Sequence, residues 1–249
     1  SKKKSAIFAE HFPVDRRFQE ELIRMRASGS LTPDEERTIL DSVKSANTHI
    51  EVPEGVLWCL LFQESRLDHL AGVDTNRGAS GLGQFSYFGF YEINNHLTRF
   101  NDSNLKLFMG SLGSDVRPIE AGNNDHSSPS SYYHIPTAVA ASAAYLNNRY
   151  LQLANTLNKQ NYSYDSDLLW LYAAMAYNKG SRSVFSFWND AHKKGGPKFV
   201  QALLNDKDTF IRATQTPSYI KRALKKIWPE QEATKYAQEL MIHIQNIRD

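Results

Sequence analysis

The chain has 249 residues, enough for one large domain or for a domain with an extension. A formal net charge of +2 is too small to point to nucleic acid on charge alone, and no apolar stretch approaches the ~20 residues of a membrane span. The 13 Phe, 12 Tyr and 4 Trp suit a large core, and equally a groove that stacks on sugar rings.

The single cysteine, Cys59, sits inside an apolar run and reads as a small buried hydrophobe. One thiol forms no intrachain disulfide, which leaves the redox compartment open. The opening SKKKSAIF lacks the apolar region of a signal peptide and reads as the cut end of a longer or processed precursor.

The elements expected in chain order are helices. Phe18, Leu22 and Met25 share one side of a helix near 15–25, and Ser28-Gly29-Ser30 separates it from the next. Thr32-Pro33-Asp34-Glu35 is a start signal: a capping threonine, a proline at the first helical position and a glutamate that completes a capping box. Ile39, Leu40, Val43 and Ala46 follow at helical spacing. Pro53-Glu54 opens a third helix, apolar all round from Val56 to Phe62, and predicted to be central and to end near Leu67.

A loop over 72–83 then carries Gly72, Gly78, Gly81 and Gly83. Residues 101–136, rich in Asn, Ser, Gly and Pro, read as a long irregular insertion. An Ala-rich helix is predicted from Pro136 to about Leu157, with Val139, Ala143, Leu146 and Tyr150 in step. Asp165-Ser166-Asp167 caps a helix from Leu168 to Asn178 that Gly180 closes. Tyr219, Ala223, Leu224 and Ile227 line a later helix, and a last one runs from Gln231 to Ile247. No period-two strand is sustained, so the architecture is predicted to be mainly α.

Three short motifs carry candidate chemistry. The first is Glu64-Ser65-Arg66-Leu67-Asp68, at the end of the apolar helix. The second is Gly78-Ala79-Ser80-Gly81-Leu82-Gly83-Gln84, and the third is Ala176-Tyr177-Asn178-Lys179-Gly180. Taken singly, each has a plain reading: a solvated helix end, a connecting loop and a helix C-terminus with a core tyrosine. In this order they resemble the catalytic domain of lytic transglycosylases of the soluble (SLT) type, a branch of the lysozyme superfamily. A fourth match follows at Gln215-Thr216-Pro217-Ser218-Tyr219-Ile220, and the resemblance spans roughly 50–228.

The resemblance implies a mainly α, lysozyme-like domain over 49–249, with the insertion at about 101–135 and an extra C-terminal helix at about 231–247. Residues 1–48 would form a helical extension packed on it. It further implies cleavage of the β-1,4 bond between N-acetylmuramic acid and N-acetylglucosamine in peptidoglycan by one carboxyl group. Glu64 would protonate the leaving oxygen, a task that needs a carboxyl held protonated near neutral pH, and apolar surroundings favour that form. The resulting carboxylate would take the proton of the muramic C6 hydroxyl, which closes on C1 to give a 1,6-anhydro product.

Ser65, Ser80, Gly81, Leu82, Gln84, Tyr177, Asn178, Gln215 and Tyr219 are the substrate-binding residues that the motif positions imply. Gln84 offers a donor and an acceptor to sugar hydroxyls or an acetamido group. Two positions depart from the family: Gly83 replaces its usual Met, and Gln215 stands where it often has Glu. Both raise the question of modified substrates, such as deacetylated glycan.

Two alternatives stand beside this. A hydrolytic muramidase of the inverting kind would need a second carboxylate about 6.5–9.5 Å from Glu64. Asp68, Asp74, Asp102, Asp115 and Asp125 are the candidates, although Asp68 reads better as a cap or loop anchor. A glycan-binding module with a degenerate site is the alternative of another class.

His126, Tyr132, Tyr133 and His134 fall in or beside the insertion without metal-ligand spacing, so the expectation is a solvated lid or a surface that stacks on glycan. Lys221, Arg222, Lys225 and Lys226 read as a solvated helix face that also suits acidic wall polymers. No metal and no cofactor are called for. The expected partner is the glycan strand of peptidoglycan, with no nucleic acid and no membrane span, for a monomer acting in the periplasm or as a secreted protein.

Overall fold

The computed structural model describes residues 16–72, 79–85 and 133–215. Among them the chain is mainly helical, with seven α-helices and no named strand. By contacts it divides into two compact units, with the boundary between Tyr145 and Leu146, inside a helix.

In the first unit, α1 (Arg16–Ser28) and α2 (Pro33–Ile50) meet through Met25 and Leu31, both buried, and an ion pair of Arg26 with Glu36. The Arg26 Nε donates to the Glu36 carboxylate at 2.9 Å. Gly29 takes the left-handed turn between them. The predicted capping box is present: Thr32 Oγ1 accepts from the Glu35 amide at 3.3 Å, and the Thr32 amide donates to the Glu35 carboxylate at 2.8 Å. Ile39, Val43 and Ala46 form the buried stripe of α2.

Helix α3 (Glu54–Ser65) packs against α2, and Asn47 Nδ2 donates to the Val52 carbonyl at 3.1 Å across the connection. Every residue from Val56 to Phe62 is buried, Cys59 among them. The helix is therefore central within its unit, as its all-round apolar pattern requires. It ends two residues before the expected Leu67, because Arg66 and Leu67 both adopt left-handed backbone.

Helix α4 (Ile135–Lys159) begins in the first unit and ends in the second. Its stripe, from Ala138 and Val139 through Leu146 to Leu153 and Leu157, is buried. Asn161, in the left-handed region, closes it, with the Tyr162 amide returning to the Leu157 carbonyl at 3.0 Å.

In the second unit, α5 (Ser166–Lys179) starts on the predicted Asp165 cap, whose carboxylate accepts from the Leu168 amide at 3.0 Å. It is buried from Leu168 to Tyr177, and the Gly180 amide closes it on the Ala176 carbonyl at 2.7 Å. Helix α6 (Ser181–Asn205) follows at once. It is kinked at Gly196, whose φ of 70° and ψ of −169° are not helical, and Pro197 stands just after the break. Helix α7 (Lys207–Gln215) packs on α6.

Tyr172 is the hub of this unit. Its ring meets Trp188 and Phe210 edge-on, with centroids 5.2 Å away in each case, and its hydroxyl donates to the Leu203 carbonyl at 3.1 Å. The helices expected at 219–227 and 231–247 and the insertion up to Tyr132 lie outside the described residues.

Candidate functional site

Glu64 sits half-buried on the last turn of α3, two residues after a run buried from Val56 to Phe62 and next to the half-buried Gln63. The helix stops one residue later. Its C-cap amide, on Arg66, donates to the Phe62 carbonyl at 2.7 Å, and the exposed Arg66 guanidinium lies over the Phe62 ring, 4.9 Å from its centroid. Glu64 thus stands on the closing turn of an apolar helix, beside the left-handed cap at Arg66.

Ser65 behaves differently from its neighbour. It is buried, and its hydroxyl donates to the Leu61 carbonyl at 3.0 Å, the back-bond open to a serine inside a helix.

Beyond α3 the chain descends in tight turns. The Asp68 amide donates to the Ser65 carbonyl and the Ala71 amide to the Asp68 carbonyl, each at 3.1 Å. Asp68 Oδ1 accepts from the Leu70 amide at 3.0 Å, so this carboxylate anchors its own loop and lies beyond the end of the helix at Ser65. His69 Nε2 reaches the Glu35 carboxylate at 3.6 Å, tying these turns to the capping box of α2.

The glycine-rich motif returns to the same segment. Ser80 and Phe85 exchange both backbone hydrogen bonds, at 3.0 and 3.1 Å, around a turn formed by Gly81, Leu82, Gly83 and Gln84. Leu82 and Phe85 are buried, and Phe85 packs edge-on against Tyr145 of α4, centroids 5.8 Å apart. The Gly81 amide donates to the Ala71 carbonyl at 2.9 Å. Gln84, in the left-handed region at φ 50°, folds its amide back so that Nε2 donates to the Gly81 carbonyl at 3.0 Å and to the Ala71 carbonyl at 3.5 Å.

The residues implied by the motifs are thus grouped in part. Glu64, Ser65, Ser80, Gly81, Leu82 and Gln84 share the first unit and are joined through the 65–71 turns. Tyr177, buried, and Asn178, exposed, stand at the end of α5 in the second unit. Gln215 closes α7, described in its backbone alone; Tyr219, Gly78, Asp74, Asp102, Asp115, Asp125, His126 and Tyr132 lie outside the described residues.

Tyr133 is buried, while His134 is half-buried at the start of α4 with Nδ1 2.9 Å from the Thr137 hydroxyl. Neither is a solvated lid residue. The Ala71 carbonyl was not among the expected site groups: a backbone acceptor in a Leu-Ala-Gly stretch carries no side-chain signal.

Among the described residues no helix is long and apolar enough to cross a membrane. The chain matches no family model, no curated protein and no solved structure.

Proposed function

We propose that the protein is a peptidoglycan-cleaving glycosidase that breaks the β-1,4 bond between N-acetylmuramic acid and N-acetylglucosamine, with Glu64 as its one catalytic carboxyl group. What carries this reading is the setting of Glu64, a half-buried carboxyl on the last turn of a helix buried from Val56 to Phe62. A low-dielectric surface disfavours the charged carboxylate, and a general acid must hold its proton until a leaving oxygen takes it. The glycine motif, joined to the same segment through Ala71, supports the reading further.

On this reading Glu64 protonates the leaving oxygen as the bond to the muramic C1 breaks. The muramic C6 hydroxyl then bonds to C1 and gives its proton to the Glu64 carboxylate, which restores the acid and leaves a 1,6-anhydro end. Asp68 favours this route over a two-carboxylate scheme, since its Oδ1 already accepts the Leu70 amide. Tyr177, Asn178, Gln215 and Tyr219 would orient the sugar, in the lysozyme-like domain that the motif order implies. The enzyme would work as a monomer on glycan strands in the cell envelope.

Turbidity clearing of purified walls tests the assignment. Glu64→Gln should lower the rate by about a hundredfold or more, the scale of a lost general acid. An unchanged rate would sink it. Mass spectrometry of the released muropeptides should show 1,6-anhydro ends; reducing ends would make the enzyme a hydrolytic muramidase.

A further inference from the structure

We infer that Gln84 is a positioning residue: its side-chain amide clips the glycine turn to the segment leaving Glu64. Two acceptors face Nε2, the Gly81 carbonyl at 3.0 Å and the Ala71 carbonyl at 3.5 Å. A carbonyl oxygen cannot donate, so the NH2 end must face inward, and the amide has one orientation. Nε2 is then turned into the protein, close to the Gly81 carbonyl and at the hydrogen-bond limit from that of Ala71. Oε1 takes no hydrogen bond among the described residues, which leaves Gln84 an acceptor alone toward any ligand.

The Ala71 carbonyl takes a second donor, the Gly81 amide at 2.9 Å, so main chain and side chain hold the same point. From there hydrogen bonds run back through Asp68 and Ser65 to the last turn of α3, where Glu64 sits. Gln84 holds left-handed backbone at φ 50°, which non-glycine residues seldom adopt without support, and its clip to Gly81 and Ala71 supplies that support.

What the clip positions rests on the glycosidase reading above; the clip itself does not. The test uses Gln84→Glu, nearly the same in shape but with oxygens where the two hydrogens stood, and Gln84→Met, which keeps length without polarity. Amide hydrogen exchange is followed at Ser80, Gly81 and Phe85, with α5 amides as the internal standard. Both variants should exchange about tenfold faster at Gly81 while α5 is unchanged, as expected for local release of a hydrogen-bonded turn. On purified walls kcat should fall about tenfold with KM little altered and the unfolding midpoint held, the signature of a lost transition-state geometry.

Unchanged exchange at Gly81 in both variants overturns the clip, whatever the activity. Faster exchange with wild-type kcat overturns the positioning role. A Gln84 that instead donated to sugar would give unchanged exchange and a raised KM in Gln84→Glu, which also overturns the proposal. If the wild type releases no muropeptides, the glycosidase reading falls while the exchange data still decide the clip.

Discussion

At Gly72 the backbone turns with φ 83°, and a β-carbon built there would run into the carbonyl oxygen of Ala79. The two strands of chain that bracket the glycine loop meet here with no room for a methyl group. Gly72→Ala should therefore lower stability by roughly 1–3 kcal/mol, from left-handed strain plus displacement of the 79–81 backbone. Urea unfolding measures this, and a loss under about 0.5 kcal/mol would mean that the Ala79 backbone moves aside freely. The glycines at this loop were visible in the sequence as permission for tight turns. Which atoms approach them was not, because close approach is a tertiary fact. Ser65 and Gln84 teach the same point: residue type showed that each could hydrogen-bond, while the fold decided that Ser65 spends its hydroxyl on Leu61 and Gln84 its amide on Gly81 and Ala71.

Helix starts were more legible than any other feature, because a cap is written in residues three apart. Thr32 with Glu35, and Asp165 with the Leu168 amide, form as their spacing dictates. The start of α4 was less so. His134 provides the carbonyl that accepts the Ala138 amide at 2.9 Å and places its ring against Thr137. Burial holds its imidazole below the ordinary 6.5. A folded value below the unfolded one means that the unfolded chain binds the proton more readily. Stability is then fully present above about pH 6.5 and declines as pH falls through that value. The positive end of α4 acts in the same sense. His134→Gln should flatten this slope relative to the wild type in urea unfolding between pH 7.5 and 5.5, and parallel slopes would refute the assignment. Helix α6 carries Val184, Phe187, Trp188 and Ala191 at helical spacing, all of them buried. Gly195-Gly196-Pro197 breaks that spacing, and in the structure two helical halves meet there at the non-helical Gly196.

For the whole molecule, the mainly helical class followed from periodicity, whereas the division between Tyr145 and Leu146 did not. A boundary inside one Ala-rich helix leaves no linker composition to find. Among the described residues, part of the aromatic content goes into a core. Tyr172, Phe187, Trp188 and Phe210 make a core joining α5, α6 and α7, with Tyr172 and Phe187 centroids 6.2 Å apart. Burial pushes the Tyr172 phenol well up, with a smaller downward pull from Trp188. Because the folded value is raised, the stability it reports is present below the ordinary value of about 10 and is lost as pH climbs past it. Tyr150 is raised as well, chiefly by burial, so the measurement is a difference. Tyr172→Phe should cost about 1 kcal/mol at neutral pH through the lost bond to Leu203, and should soften the alkaline fall in stability. An equally steep fall would place the alkaline weakness elsewhere.

The break at Gly196 gives α6 a second pair of electrical ends within its length, a negative one before the glycine and a positive one after it. The turn before it carries exposed His192, Lys193 and Lys194, with Lys193 3.8 Å from Asp190. Those lysine charges sit where the carbonyls of the first half lose their helical partners and where positive charge is favoured. Pro197, lacking an amide hydrogen, stands where the second half would otherwise leave one unpaired. A sequence that looks like a basic surface patch is, in this fold, the neutralising counterpart of a broken dipole.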